Sequence, residues 1–349
     1  MDVNSISHHL VFAGLLLLGA ISATYYMLKA RIIAVPNHRS SHEEPTPSSG
    51  GVAIVLITTA GFLFFCLFDE NYENLWVQLT GLAVGSLTVA FVGFVDDLGR
   101  LPNFKVKFLS QIFAVMILFG GDILVDRLTL PFVGLIDLGW WGYLVTFIWV
   151  VGVTNAFNFM DGLDGMAGST AAVAALSFTL IAFDQNAELA FVLGYVVLAA
   201  VLGFLPFNFP KARIFMGDVG SQFLGFFFAA LAVLAIDSND VQIPFWVMPL
   251  IFFHFIFDTS FTFLRRLCAG EVVTDAHRSH LYQLVNRMGW SHPKVSLLYA
   301  AMSLLQGIAA MWLMGTSALS QGLAFLFFFM IHTVFMLIVI RAARANNLI

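Results

Sequence analysis

Long apolar runs separated by short polar segments set the pattern of this chain. A helix needs about 20 apolar residues to cross the hydrocarbon core of a membrane, and about eleven runs approach that length. The predicted spans cover residues 9–28, 50–68, 75–95, 105–121, 140–158, 165–183, 187–206, 219–236, 243–264, 295–314 and 319–341. The pattern predicts an all-α polytopic membrane protein with about eleven transmembrane helices.

One segment between the fourth and fifth runs has a different hydrophobic periodicity. Residues 122–139 include the stretch LTLPFVGLID, in which apolar positions alternate with others. Alternation with a period of two is typical of a strand whose two faces differ, and not of a membrane span. We therefore expect a short β-hairpin at the surface.

Composition agrees with a membrane protein. Of the 349 residues, 60% are hydrophobic, 38 are Phe and only 11% are charged. An ordinary soluble domain has about 25% charged residues. The composition therefore excludes a water-soluble globular enzyme, and the net charge of -5 becomes informative only when the charges are placed on the spans.

Positive charge is strongly segregated along the predicted spans. All but one of the 16 Lys and Arg residues fall on one side, and only Arg127 falls opposite. The positive-inside rule makes the basic side cytoplasmic, which places the N-terminus and the hairpin in the periplasm and the C-terminus in the cytoplasm. We expect residues 1–349 to form one integral membrane domain. The predicted cytoplasmic loops lie near 29–49, 96–104, 159–164, 207–218 and 265–294.

Carboxylates, amides and glycines are concentrated in three of these loops. The third span ends in GFVDD, so Asp96 and Asp97 emerge at the membrane edge with Lys107 shortly after. Alone, such a pair is equally typical of a solvated helix end. In NAFNFMDGLDG at 155–165, a spacing of three places Asn155, Asn158, Asp161 and Asp164 on one side of a helix if the helix persists.

Unpaired polar groups at a membrane boundary are costly unless they bind something, which favours a binding role for this second loop. The third loop runs from Asn208 to residue 221 and carries Asp218 just before the eighth span. A carboxylate there can hold a hard cation, and backbone N–H groups at a helix start can bind phosphate.

Together the three loops indicate one chemistry. Five carboxylates and interleaved Lys and Arg on one face are suited to phosphoryl transfer assisted by Mg²⁺, because the cations neutralise phosphate charge and a carboxylate can take a proton. A site at the membrane implies that one substrate is a lipid. The five carboxylates are Asp96, Asp97, Asp161, Asp164 and Asp218.

The two remaining cytoplasmic loops have compositions suited to ligands. Residues 36–51 are polar, rich in Pro and Ser, and contain His42, a composition fitted to cover a ligand. The loop after the ninth span carries Arg278 and His280, a basic and imidazole-bearing pair suited to holding a pyrophosphate.

These motifs resemble those of the polyprenyl-phosphate N-acetylhexosamine-1-phosphate transferases of the WecA type, with the MurNAc-pentapeptide translocase MraY as a more distant relative. The most specific pieces are GFVDD at 93–97, NFMDGLDG at 158–165 and IFMGDVGS at 214–221, in that order. The resemblance extends from the loop with His42 to His280 and includes the span count.

The resemblance implies transfer of a sugar 1-phosphate from a UDP-N-acetylhexosamine to undecaprenyl phosphate, with release of UMP, at the cytoplasmic face of the bacterial inner membrane. It implies Mg²⁺ or Mn²⁺ as cofactor, membrane lipids and a second copy of the chain as partners, and no nucleic acid.

The resemblance also implies residue roles. Asp218 would bind the metal, and Asp96 or Asp97 would deprotonate or orient the lipid phosphate. Phe215 would stack on uracil, with Asp164 hydrogen-bonding the base and Asn208 nearby. The catalytic set would include Lys107 and His280, and the further substrate contacts would be Asn158, Asp161, Arg278 and His42. Asp258 and Arg265 fit the family's Asp before the basic end of span nine.

Departures from the family pattern bear on the sugar. The usual His-x-His-His cluster reads His280-Leu281-Tyr282-Gln283, so only its first histidine is present. This is similar to the branch that initiates O-antigen chains with N-acetylfucosamine or N-acetylglucosamine, and it argues against a MurNAc-pentapeptide donor.

Two other classes of function stay open at this point. A lipid transporter would need charged groups near the bilayer centre, whereas the spans are nearly free of charge apart from Asp258. A lipid pyrophosphatase would use the same metal and carboxylates with water as the nucleophile. For a transferase, direct attack by the lipid phosphate and a covalent aspartyl-phosphate intermediate are both possible.

Four histidines lie away from this chemistry. His8 and His9 precede the first predicted span, and His254 and His332 lie within apolar runs. We expect all four to have structural roles.

Overall fold

The computed structural model describes residues 3–30, 33–34, 46–68, 75–101, 103–130, 133–236, 243–272 and 277–349. The protein is mostly helical, at 78%. Within the described ranges, nine helices are long and apolar enough to cross a membrane. A polytopic membrane protein is therefore confirmed in outline, while the count of about eleven spans and their orientation stay predictions.

The helices follow the apolar runs closely. They are α1 (Val3–Ala30), α2 (Gly50–Phe68), α3 (Trp76–Asp97), α4 (Phe104–Gly120), α5 (Trp141–Met160), α6 (Met166–Asp184), α7 (Glu188–Asn208), α8 (Gly217–Leu234), α9 (Val247–Ile251), α10 (Phe253–Cys268), α11 (Leu281–Arg287), α12 (His292–Leu313) and α13 (Ala318–Ala345).

The predicted hairpin is confirmed. Strands β3 (Arg127–Leu130) and β4 (Gly134–Asp137) pair antiparallel, with Arg127 opposite Asp137. A second antiparallel pair was not predicted, namely β1 (Ile33–Ala34) with β2 (Thr46–Pro47). Each of its strands has only two residues, too few to give a detectable alternation.

The ninth predicted span, over 243–264, is not a single helix. The chain forms two helices there, α9 and α10, which meet at Phe252. Pro249 lies within α9 and cannot donate a helical hydrogen bond. The buried face of α10 carries His254, Asp258 and Arg266, so this part of the chain is amphipathic and not uniformly apolar.

Helix α8 lies at the centre of the bundle. Every residue from Val219 to Leu234 is buried, and the helix packs against α3, α5 and α2. By contrast, α13 exposes Leu326, Phe327 and Ile338. A helix that is apolar all round is buried in the protein or faces lipid, so α13 supplies an outer surface and α8 the core.

Three of the four histidines expected to be structural, His9, His254 and His332, are buried by neighbouring side chains, whereas His8 is exposed. His9 contacts the hydroxyl of Tyr195 at 3.1 Å. His254 contacts Gln306 Oε1 at 2.8 Å, and Gln306 lies 3.4 Å from His332. These contacts join α1 to α7 and link α10, α12 and α13.

A glycine contact between α2 and α8 gives a test of the packing. Gly51 donates its N–H to Met216 O at 2.8 Å, and a Cβ at Gly51 would overlap the backbone of Gly220. Backbone atoms cannot move aside as a side chain can, so we expect Gly51→Ala to lower the free energy of unfolding by about 3 kcal/mol.

Thermal unfolding in detergent measures this effect. Gly152→Ala is the matched control, because that helical glycine has nothing within 4 Å of its ideal Cβ position. Equal midpoints for the two variants would show that α2 and α8 do not need this close approach.

Candidate active site

Four helices bring charged and amide side chains together at one end of the bundle. The ammonium of Lys107, in the first turn of α4, lies 2.5 Å from Asp96 Oδ2 and 2.5 Å from Asp218 Oδ2. Asp218 also accepts a hydrogen bond from Asn158 Nδ2 at 2.8 Å. We call Asp96, Lys107, Asn158 and Asp218 the ion cluster.

The charges of the ion cluster are not placed to stabilise their own helices. Asp96 lies in the last turn of α3 and Lys107 in the first turn of α4. Each charge is of the sign that the helix dipole disfavours at that end. Only Asp218, in the first turn of α8, is at a favourable end. The ion pairs offset this cost, and the arrangement is typical of a site that binds an external ligand.

Asp97 has a different task from Asp96. Its carboxylate accepts the backbone N–H groups of Asp218 at 2.9 Å and Val219 at 3.1 Å. It thus caps the start of α8 from another helix and fixes the backbone that carries Asp218. Gly217, at φ +74°, makes this approach possible, because a Cβ there would overlap Asp97 Oδ2 as well as Ser48 O.

Asp161 lies beside the ion cluster but outside the helix. Helix α5 ends at Met160, so the predicted helical face carries Asn155 and Asn158 and does not extend to Asp161. Burial raises the pKa of the Asp161 carboxyl well above its usual value, and the negative charges of Asp218 and Asp97 raise it further.

Asp164 and Asn208 join two loops. Asp164 Oδ2 accepts the N–H of Ala212 at 3.1 Å, and its Oδ1 lies 3.3 Å from His292 Nδ1. Asn208 is the last residue of α7, accepts from Gly165 N at 2.9 Å and donates to Ile214 O at 2.9 Å. The structure therefore assigns both side chains to loop bracing, and their substrate contacts stay predictions.

Phe215 follows this braced loop. Its N–H donates to Pro47 O at 2.7 Å, and its carbonyl accepts from Gly50 N at 2.9 Å. The ring is partly buried. The two backbone bonds fix where the ring leaves the chain, close to the start of α8.

His280 belongs to a neighbouring group of buried side chains. Its ring stacks on Phe159 at 6.0 Å between centroids, and Phe159 directly follows Asn158 of the ion cluster. Arg278 is partly buried, and its carbonyl accepts from Arg287 Nη1 at 3.0 Å. His42 lies outside the described residues.

Gln111 and Gln222 were missed by the sequence analysis. Both are buried, and they join the half-buried Asn155 in one layer. In it, Asn155 Nδ2 donates to Gln111 Oε1 at 2.8 Å and Gln111 Nε2 donates to Gln222 Oε1 at 3.3 Å. Each member lies one helical turn below Lys107, Asn158 or Asp218. That spacing of three or four residues is the signal in the sequence.

Among the described residues, no group of three or more Asp, Glu, His or Cys side chains is arranged to hold a metal ion. This does not conflict with a magnesium site, because Mg²⁺ is usually held by one or two carboxylates together with substrate phosphates. The carboxylate of Asp218, oriented by Asn158 Nδ2 at 2.8 Å, has the hard oxygen donors that such a site requires.

The fold and the ion cluster define a multi-pass membrane protein with an acidic and cationic site at the helix ends. Comparison with known proteins gives the family. Residues 79–236 match the model of Glycosyl transferase family 4, a segment that contains the whole ion cluster. The chain belongs to this family, as its identity to the relatives below shows.

Relatives of two kinds are similar to the chain. The probable undecaprenyl-phosphate N-acetylglucosaminyl 1-phosphate transferase of Bacillus subtilis (strain 168) is 31% identical, over 81% of this chain and 77% of the relative. The decaprenyl-phosphate N-acetylglucosaminephosphotransferase of Mycobacterium tuberculosis (strain ATCC 25618 / H37Rv) is 30% identical, over 78% and 74%.

The second kind is the phospho-N-acetylmuramoyl-pentapeptide-transferase. The enzyme of Leuconostoc citreum (strain KM20) is 30% identical, over 80% of this chain and 88% of the relative. Because both kinds are similar at nearly equal identity, the comparisons support a transferase of sugar phosphates to polyprenyl phosphate and do not choose the sugar.

Proposed function

We propose that this protein transfers an N-acetylhexosamine 1-phosphate from a UDP-sugar to undecaprenyl phosphate and releases UMP. The product is a lipid-linked pyrophosphoryl sugar that starts O-antigen or another cell-surface polysaccharide. The carrying observation is the ion cluster, in which Lys107 lies within 2.5 Å of both Asp96 and Asp218. The site belongs at the cytoplasmic face of the bacterial inner membrane, as the charge segregation supports.

Asp96 is the better candidate for the base. Both oxygens of Asp97 accept backbone N–H groups of α8, whereas Asp96 contacts side chains, namely the ammonium of Lys107 and the carboxyl group of Asp218. In the proposed step, Asp96 takes the proton of the lipid phosphate. The phosphate oxygen then bonds to the β-phosphorus of the UDP-sugar, the bond to the bridging oxygen breaks, and UMP leaves with the electron pair.

The other residues bind and orient the substrates. Lys107 is placed to contact phosphate oxygens, and Asn158 fixes the carboxylate of Asp218. A divalent cation held by Asp218, Mg²⁺ or Mn²⁺, would supply neutralisation of the pyrophosphate charge. Phe215 would stack on uracil, and Arg278 and His280 would contact the pyrophosphate.

The donor is proposed to be UDP-N-acetylglucosamine or a UDP-N-acetylfucosamine-type sugar. The support is the sequence His280-Leu281-Tyr282-Gln283, in which two histidines of the family pattern are replaced. Tyr282 is fully buried, and its hydroxyl donates to Phe159 O at 2.9 Å. It therefore cannot contact the substrate in place of the histidine that the family pattern has at this position. The expected homodimer stays a prediction.

Product identification tests the proposal. We expect membranes that contain the protein to form a lipid-linked sugar from undecaprenyl phosphate, Mg²⁺ and one member of a panel of UDP-N-acetylhexosamines, as identified by mass spectrometry. EDTA should abolish turnover, and added Mg²⁺ should restore it. Folded protein that yields no product from any donor would contradict the transferase function.

Two assays separate the alternatives. UMP release that requires the polyprenyl phosphate excludes a lipid pyrophosphatase, whose nucleophile is water. Exchange of labelled UMP into UDP-sugar without the lipid acceptor would favour a covalent aspartyl intermediate over direct attack. Active protein without such exchange would favour direct attack.

A further inference from the structure

Asp258 is a buried carboxylate that the proposed reaction does not use. It lies on α10 with 1% of its surface exposed. A carboxylate at such a place is costly unless its oxygens are hydrogen-bonded. Five donors surround it, namely Leu281 N at 2.9 Å, Tyr282 N at 3.1 Å, Tyr299 Oη at 2.8 Å, Thr262 Oγ1 at 3.2 Å and His280 Nδ1 at 3.3 Å.

Two of these donors are the first N–H groups of α11. The Asp258 carboxylate therefore caps the N-terminus of α11 from a different helix, α10. His280 is the residue before α11, and its own N–H donates to Gln283 Oε1 at 3.2 Å. The backbone on both sides of the imidazole is thus fixed.

The contact with Asp258 also fixes the imidazole itself. An ionised carboxylate only accepts hydrogen bonds, so the contact at 3.3 Å is a hydrogen bond when Nδ1 of His280 carries the hydrogen. The imidazole also belongs to the capping box at the start of α11, with the backbone N–H of Gln283 directed at it. The rings of Phe159 and His277 lie against the imidazole, at 6.0 and 4.9 Å between centroids.

The turn that carries His280 is tied to the end of α5, which carries Asn158 of the ion cluster. Tyr282 Oη donates to Phe159 O at 2.9 Å and binds α11 to the end of α5. Gly162 packs directly on that hydroxyl, since a Cβ there would overlap it. The loop with Asp161 and the turn with His280 are therefore held together.

From this geometry we infer that Asp258 is a positioning residue that holds His280 so that its imidazole meets the pyrophosphate of the sugar nucleotide. The inference rests on the proposed function, which places the phosphates between the ion cluster and His280. Asp258 touches no substrate. It acts through His280 by setting the position of the ring and the nitrogen that carries the hydrogen.

A double-mutant cycle tests this assignment with full-length protein in detergent. We expect His280→Gln and Asp258→Asn each to lower kcat by about 10- to 100-fold, the range for carboxylates that orient a functional histidine. The KM for undecaprenyl phosphate should change by less than about twofold. Asp258→Asn should lower kcat no further in the His280→Gln background, because its route to the substrate is already lost.

Tyr299→Phe and Thr262→Val are the controls, since each removes one donor to Asp258 and leaves the His280 contact. They should lower the unfolding midpoint and change kcat by less than about threefold. Equal losses from Asp258→Asn in both backgrounds would overturn the inference and leave the transferase function intact. Wild-type kcat in His280→Gln would remove His280 from the site and the inference with it.

The outcome is also informative if an Asp258 variant fails to fold. Asp258→Glu keeps the charge and both acceptors, and it replaces Asp258→Asn in the cycle if the Asn variant is not monodisperse on size exclusion. If neither variant folds while His280→Gln does, the carboxylate serves the fold more than the histidine. That result also overturns the inference.

Discussion

Asp218→Asn is expected to lower turnover by about 10³-fold without unfolding the protein. The change removes a negative charge that Lys107 contacts at 2.5 Å and that would hold the divalent cation. The start of α8 should survive, because Asp97 binds the backbone N–H of residue 218 and not its side chain. Turnover of UDP-sugar at saturating Mg²⁺ and the thermal midpoint in detergent measure the two effects.

Asp184→Asn is the matched control for this substitution. Asp184 is exposed at the end of α6, and the loss of its charge should leave turnover and Mg²⁺ dependence unchanged. If Asp218→Asn kept more than about a tenth of wild-type turnover, Asp218 could not be the metal ligand, since loss of such a group costs about 10²–10³-fold.

The sequence was sufficient to find the members of the ion cluster. Ionisable residues are rare in an apolar chain and costly at its membrane boundary, so Asp96, Lys107 and Asp218 stand out without any structure. The helices were predictable for a related reason, because long apolar runs have few alternatives to a helix in lipid. The hairpin at Arg127–Leu130 and Gly134–Asp137 was found from its alternation.

Partner choice was not predictable from the sequence. Asp96 and Asp97 are adjacent, yet one pairs with Lys107 and the other caps a helix that begins about 120 residues later. Successive residues on a helix point about 100° apart, and which direction meets α4 or α8 depends on how three helices pack.

Local endings and breaks were missed for physical reasons as well. Asp218 was expected to precede its helix, but α8 begins at Gly217, so its carboxylate lies in the first turn. The break between α9 and α10 has hydrophobic residues on both sides, which concealed it in an apolar run. Gln111 and Gln222 lie one helical turn from Lys107 and Asp218, but their mutual contact at 3.3 Å depends on how the helices pack.

Lys107→Met is expected to lower turnover as much as Asp218→Asn does. Its effect on metal binding should be the opposite, because the site should bind Mg²⁺ more tightly. Without the ammonium, Asp96 and Asp218 face each other uncompensated, and Asp97 lies close by. Turnover should fall by about 10³-fold, because a cation that contacts the phosphates is lost. The Mg²⁺ concentration for half-maximal residual activity should fall, since a divalent cation then neutralises more negative charge.

A Mg²⁺ titration of the residual activity separates this result from simple damage to the site. Lys105→Met is the control, because Lys105 is exposed two residues earlier in the same helix and should leave both quantities unchanged. A damaged site would need more Mg²⁺, as Asp218→Asn should. If Lys107→Met also needed more Mg²⁺, the lysine would be organising the carboxylates for the metal. If it needed less, its charge acts on the phosphates, and the two carboxylates are organised by the helices that carry them.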